Sequence, residues 1–454
     1  MTNQSVVCWS EAPIYHDNTI DIFCAIVSDD NSEKNIKGKL SSFVVNDICG
    51  FKTNPEFKLL STKIQSEKAS RIVQKAGERK LFKFFKKKDF LIGRIEINKD
   101  VNTILELQCT VLVEDKSMEC TLQVIFSRSR PSERKGVLLI YPDVTQMAYN
   151  KFAGSSFYVP RPREKPGIRS VPKIKPFSDQ FYKRNPYHTP SLLKGLMNEL
   201  ISLNYNFHII GNSELENYYP DLKKYELIVV AGHNEYCSER EIDFYSHIMT
   251  QGLEGKIVPN LAILSGNTAW WTFKTNRKSG DYQIVKGPKT KELQIKHKVG
   301  LTSVINTKWP IFPLRWEYGG YPYTKVLSMK DGEGVGQVKV VDKKMADILD
   351  LPLGSEFGKS PAFNGIEVDG LPLDKIEDFV NGFDASIRPL VVGTVERHFN
   401  EKTPRAYSVV TGCAISSLKS KWKFWQFGSV SFSSFVEDCL MGKKIFKGIV
   451  EGSL

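Results

Sequence analysis

A chain of 454 residues exceeds what one hydrophobic core supports, so two or three domains are expected. Hydrophobic residues at 41% and charged residues at 25% exclude wholesale disorder, and no apolar run approaches the roughly 18 residues of a membrane span. The formal charge of +12 permits an anionic partner without demanding one, and the N-terminus lacks a basic segment followed by an apolar one, so a cytoplasmic protein is expected.

Residues 1–132 alternate short apolar runs with polar breaks, at Ile20–Val27, Leu40–Val45, Phe90–Ile97, Ile104–Val113 and Cys120–Phe126. Period-two alternation is the signature of half-buried strands, so this region reads as an all-β, sandwich-like domain with no catalytic motif. Its basic run, Lys75–Lys88, interleaves Leu81, Phe82, Phe84 and Phe85 with cations. It reads as a solvated face rather than a nucleic-acid or membrane stripe. The eight cysteines show neither a CxxC pair nor a zinc-like spacing, which reads as reduced thiols.

After Pro131 the pattern changes to strands alternating with helices, and residues 133–454 are assigned to a second domain. Gly136–Tyr141 is a continuous apolar strand of the kind buried on both faces. Thr189-Pro190 supplies an N-cap and an N1 proline for a helix that puts Leu192, Leu193, Leu196, Met197, Leu200 and Ile201 on one face. Asn206–Ile210 and Glu226–Ala231 follow as strands. Ser238 and Glu241 read as a capping box opening a helix through Ile242, Tyr245 and Met249, and Leu261–Leu264 is a further strand. This order predicts an open parallel sheet with helices on both faces, whose ligands lie beyond the strands' carboxyl ends. Residues 274–384 read as an irregular lobe, before strands near Val391, Tyr407 and Val430 and a helix near Phe435–Met441.

Three polar segments each follow a buried strand: Pro142–Asn150, Gly232–Tyr236 and Ser265–Trp271. In a doubly wound fold they share one rim, which makes them a candidate site. His233 and Glu235 can be metal ligands, a base with its orienting partner, or simply loop residues capping the next helix. A serine hydrolase is disfavoured because no GxSxG elbow follows a strand, and phosphate-binding glycine loops are absent. Cys237 stands near His233 but has no turn that would expose it as a nucleophile.

In order along the chain, Ala148-Tyr149-Asn150, Gly154-x-Ser-Phe-Tyr158, Gly232-His-Asn-Glu-Tyr236, Ser265-Gly-Asn267 with Trp271, and Gly365-Ile-Glu-Val-Asp369 resemble the large (β) subunit of N,N-dimethylformamidase and its relatives, over about residues 135–445. The resemblance implies a glutamine-amidotransferase-like α/β domain without a cysteine nucleophile, holding one iron, as Fe(III), through two tyrosinates and a glutamate. It points to Tyr149, Tyr158 and Glu235 as the metal ligands, with His233, Asn267 and Glu367 as catalytic pocket residues. Two departures stand out: Cys237 follows the Glu-Tyr pair where relatives carry tryptophan, and Phe152-Ala-Gly154 replaces a Gly-Gly pair.

Phenolate and carboxylate oxygens are hard donors suited to a highly charged ion, and three protein ligands leave room for water and a carbonyl oxygen. The expectation is therefore a metal-dependent hydrolase of a small-molecule amide C–N bond, with a homo-oligomer or a small partner subunit allowed for. The alternative is a non-catalytic carbohydrate- or peptide-binding module on the same fold. Nucleic acid and membrane are set aside as partners.

Overall fold

Side chains that alternate between core and solvent make strands of the N-terminal region. In the computed structural model, which describes residues 4–28, 37–49, 55–68, 90–97, 101–128, 136–150, 157, 168–171, 189–276, 281–285, 311–322, 338–357, 367–397 and 405–454, these are β1 (Gln4–Trp9), β2 (Ile14–Tyr15), β3 (Thr19–Ser28), β4 (Lys37–Asp47), β5 (Glu56–Leu59), β6 (Lys63–Lys68), β7 (Leu91–Glu96), β8 (Thr103–Val113) and β9 (Lys116–Phe126). The basic run Lys75–Lys88 lies outside the described residues. Glu114 and Asp115, both at positive φ, make the two-residue turn that joins β8 to β9, as a tight hairpin requires. Strands follow the path β2-β9-β8-β4-β6-β3-β7-β5, with β1 on β3. The inward residues of β3 and β7 share one core with those of β8 and β9, among them Ile22, Ile92, Leu107 and Leu122, so the path folds back on itself.

The chain divides into two compact units: Met1–Arg130 with Gln146–Ser191 and Lys274–Gln294, and Pro131–Thr145 with Leu192–Phe273 and Ile295–Leu454. From residue 136 the elements in chain order are β10 (Gly136–Tyr141), α1 (Asp143–Tyr149), β11 (Ile168–Val171), α2 (Lys194–Ser202), β12 (Phe207–Gly211), β13 (Tyr225–Gly232), β14 (Tyr236–Ser238), α3 (Glu239–Leu253), β15 (Asn260–Ser265), β16 (Trp271–Thr275) and β17 (Tyr282–Val285). There follow β18 (Arg315–Pro322), β19 (Val338–Val340), α4 (Lys343–Leu349), β20 (Glu356–Phe357), β21 (Val368–Gly370), β22 (Ala385–Arg397), β23 (Arg405–Ser417), β24 (Lys423–Phe427), α5 (Phe432–Asp438) and α6 (Leu440–Val450). In the first unit β11 pairs antiparallel with β17.

The second unit is built on a sheet of order β12-β10-β13-β15-β24-β23-β22-β18-β21. Its first five strands run parallel, and β10, β12 and β13 are buried along nearly their whole length. The expected parallel sheet is only this half. Beyond β24 the strands turn antiparallel, led by the thirteen-residue strands β22 and β23. Helix α3 covers Leu138, Ile140, Ile228, Val230, Leu261 and Ile263, burying Ile242, Tyr245, Ile248 and Met249 among them.

Local expectations shift in four places. Thr189-Pro190 opens a short 3-10 turn, Pro190–Leu193, before α2, and Thr189 bonds Ser191 instead of capping the α-helix. Part of the segment expected as an irregular lobe joins the large sheet as β18 to β21. The strand expected near Val430 is β24, which ends at Phe427, and Val430 lies in the turn that follows. The terminal helical stretch is two helices, α5 and α6, broken at Cys439. No helix among the described residues is long and apolar enough to cross a membrane.

Candidate active site

The parallel register of β13 and β15 pairs Gly232 with Ser265, so the segments that follow the two strands start side by side. They are then stitched together. The amides of Gly266, Ala269 and Trp271 donate to the carbonyls of Gly232, Asn234 and Glu235, and the amide of Asn234 donates to Ser265 Oγ at 3.0 Å. Gly232 takes the turn at φ +74°, a conformation that side chains disfavour, and a Cβ there would also strike Leu192. Gly266 serves closeness: a Cβ would sit 2.3 Å from the carbonyl oxygen of Glu367. Asn267 and Ala269 both adopt left-handed backbone, at φ 51° and 52°, a conformation uncommon outside glycine.

The third segment differs from the open loop expected. Residues 143–149 form α1, and Asp143 accepts from the amide and hydroxyl of Ser213. Burial lifts the Asp143 carboxyl to about 6. Thr145 from the same turn accepts from the amide of Tyr236 at 3.2 Å, tying the start of α1 to the Glu235 segment.

Four predicted residues meet in the second unit. His233 Nε2 lies 2.8 Å from Glu367 Oε2 and 3.6 Å from Glu235 Oε2. Asn267 Nδ2 donates to the same Glu367 oxygen at 2.9 Å. His233, Glu235 and Asn267 are buried, whereas the Glu367 side chain is 16% exposed, so among these four Glu367 has the readiest access to solvent. Asn267 Oδ1 is buried with no hydrogen-bond partner among the described residues. Tyr149 ends α1 at intermediate burial and belongs to the first unit, and Tyr158 lies outside the described residues.

Charge defines this cluster. Burial alone would lower the His233 pKa, but Glu367, through its charge and contact, and then Glu235 and Asp369 outweigh it and raise the value, favouring imidazolium. Asp369, two residues after Glu367, accepts from the Thr268 amide at 3.0 Å. Burial raises its carboxyl to about 8 against that hydrogen bond, and the Glu367 charge adds to the rise. Burial thus favours the acid form of Asp369, and the carboxylates around His233 favour its imidazolium.

Beneath the rim lies a polar network that the sequence reading missed. Asn212 Nδ2 and Asn234 Nδ2 donate to the two oxygens of Glu241 at 3.0 and 2.9 Å, and the Tyr245 hydroxyl donates at 2.9 Å. Ser238 caps α3 as expected, accepting from the Glu241 amide at 3.0 Å, but the Glu241 carboxylate is buried in this network and belongs to no reciprocal capping box. Its burial raises it to about 7. Cys237 is fully buried, and burial followed by the Glu241 charge pushes its thiol well above the ordinary range, which leaves it inert as a nucleophile.

Glu235 is a buried carboxylate beside an imidazole, the donor type that a hard cation takes. The donor chemistry of Glu235 thus fits a hard cation.

Comparison with known proteins gives one family. Residues 108–310 match the model described as N,N-dimethylformamidase beta subunit-like, C-terminal. The match begins earlier than the expected residue 135, inside β8, and stops short of Glu367 and Asp369, whose place in the site comes from the fold alone. No curated protein matches the chain.

Proposed function

With residues 108–310 matching the model described as N,N-dimethylformamidase beta subunit-like, C-terminal, we propose that this chain hydrolyses the C–N bond of a small amide at the rim formed by His233, Asn267 and Glu367. The observation that carries this reading is the shared oxygen of Glu367, held by both His233 and Asn267 beside the buried Glu235. In our reading Glu235 would be a ligand of one iron, which when bound polarises a carbonyl and acidifies water.

The chain's own groups supply the proton movements. Hydrolysis adds water to the carbonyl carbon and breaks the C–N bond, so one proton must leave the water and another must reach the departing nitrogen. Glu367, the most exposed of the four, takes the proton from water, and the imidazolium of His233 gives one to the nitrogen. Transfer from Glu367 to His233 across their 2.8 Å contact then resets the pair. Asn267 fixes the orientation of Glu367, and its buried Oδ1 can accept from the substrate N–H.

The test is amine release from a panel of small formamides and primary amides by the iron-supplemented protein. Turnover that disappears in Glu235→Ala together with the iron, and falls in Glu367→Gln with iron retained, supports the reading. Stoichiometric iron without amine release from any amide overturns it in favour of a binding module.

A further inference from the structure

The first unit contains a feature unrelated to the rim. Cys8 on β1, Cys24 on β3, Cys109 on β8 and Cys120 on β9 are all buried, and their four sulfurs lie within 4.8 Å of one another. No spacing in the sequence reveals this, because each cysteine comes from a different strand. The register explains the convergence: Cys8 is the Cα partner of Cys24, and Cys109 the partner of Cys120. Two cross-strand pairs thus face each other across the core, giving two donors from each side. That is the disposition a tetrahedron needs.

We propose that Cys8, Cys24, Cys109 and Cys120 form a closed tetrathiolate site for one structural metal ion, with zinc the ion whose chemistry fits best. Four sulfurs at about 2.3 Å from a zinc ion lie roughly 3.8 Å from each other, inside the span seen here. The grouping is too tight to surround a multi-iron cluster. Soft thiolates select zinc or a single iron over hard cations, and four protein ligands leave no open position for substrate, which makes the role structural.

A packing role for four small apolar side chains is the simpler alternative, since buried cysteine often behaves as a small hydrophobe. Against it stands the alternation of the strands. On β8 the inward positions Leu105, Leu107, Val111 and Val113 are large aliphatics, and Cys109 interrupts them at the level where Cys120 interrupts the inward face of β9. Sulfur replaces branched carbon at all four contributing strands in one place. The ion would also clip together residues 112 positions apart, where closing a long loop has the most entropy to save.

This inference is independent of the amide-hydrolase reading, and the experiment keeps them apart. The full-length protein, purified under reducing conditions without added metal, is analysed by elemental analysis and native mass spectrometry, then titrated with a mercurial while released zinc is followed. One zinc per chain, freed as four thiols react, is expected. Cys8→Ser and Cys120→Ser should each lose that equivalent, whereas Glu235→Ala should keep it. Replacement by cobalt should give the visible bands of a tetrahedral tetrathiolate. One iron in place of zinc, lost in the cysteine variants and kept in Glu235→Ala, supports the same site with another ion. Wild-type protein that neither contains nor rebinds a metal overturns the proposal, whether its thiols are free or joined as disulfides. The wild-type titration decides the question even if the serine variants fail to fold.

Discussion

His233 Nε2 stands 2.8 Å from Glu367 Oε2, and the same oxygen accepts from Asn267 Nδ2, which follows a neighbouring strand. Residues that act on one oxygen should not act independently. His233→Asn and Glu367→Gln are each expected to lower kcat by about 10²- to 10⁴-fold, the usual range for a general acid or base. The double variant should lose little more than either single one. A strictly multiplicative loss, measured by steady-state amine release, would separate the two roles.

Titration gives the second prediction. Asp143, Glu241 and Asp369 are held at about 6, 7 and 8, all above an unfolded carboxyl near 4. Between those values the folded chain binds more protons than the unfolded one, so stability should fall as pH rises from about 4 to about 8. The raised His233 works in the same direction, since its contribution is lost as pH rises through its folded value. Asp369→Asn keeps an acceptor for the Thr268 amide and removes the charge, so its Tm should vary less between pH 6 and pH 9 than that of the wild type.

Gly266→Ala should damage the site more than the fold. The added methyl would meet the Glu367 carbonyl oxygen at 2.3 Å, with the Val430 amide and the Gly428 carbonyl close behind. Relief requires moving the segment that carries Glu367. We expect at least a tenfold drop in kcat with the far-ultraviolet circular dichroism of the wild type. Unchanged kinetics would show that Glu367 need not sit where the rim holds it.

Cys237→Ala tests the absence of a thiol nucleophile. The side chain is buried with a raised pKa and lies against the Glu241 network, so its loss should cost about 1 kcal/mol or more of stability while kcat stays within a few-fold of the wild type. Loss of all activity in both Cys237→Ala and Cys237→Ser, with the fold intact, would reinstate a cysteine mechanism.

What the sequence disclosed follows the strength of its patterns. Apolar runs such as Gly136–Tyr141 and Glu226–Ala231 mark strands buried on both faces, and the polar segments after them mark the rim, because strand period and burial are local properties. This pattern singles out His233, Glu235 and Asn267 as candidates, and Glu367 stands in a motif. Asp369 stood in that motif without an assigned role, since its raised pKa depends on burial by segments far along the chain. Glu241 read as a capping residue because the capping pattern is local, whereas its true partners, Asn212, Asn234 and Tyr245, come together only in three dimensions. The antiparallel half of the sheet was hidden for a similar reason, as individual strands do not announce their direction. Spacing along the chain shows no grouping of the cysteines, whereas the pairings of β1 with β3 and β8 with β9 bring four of the eight together.

The sheet order has a consequence on the ribosome. β15 is completed on one side by β13, already synthesised, and on the other by β24, where Trp422 donates from its indole N–H to a carbonyl 163 residues earlier, at Pro259. At roughly 5–20 residues per second, β15 waits on the order of ten seconds with one hydrogen-bonding edge open and an apolar run, Leu261–Leu264, beside it. An open apolar edge is a template for wrong pairing between nascent chains. Yield of native protein should therefore respond to translation speed across residues 266–423 and to holdase chaperones, even when the finished molecule is stable.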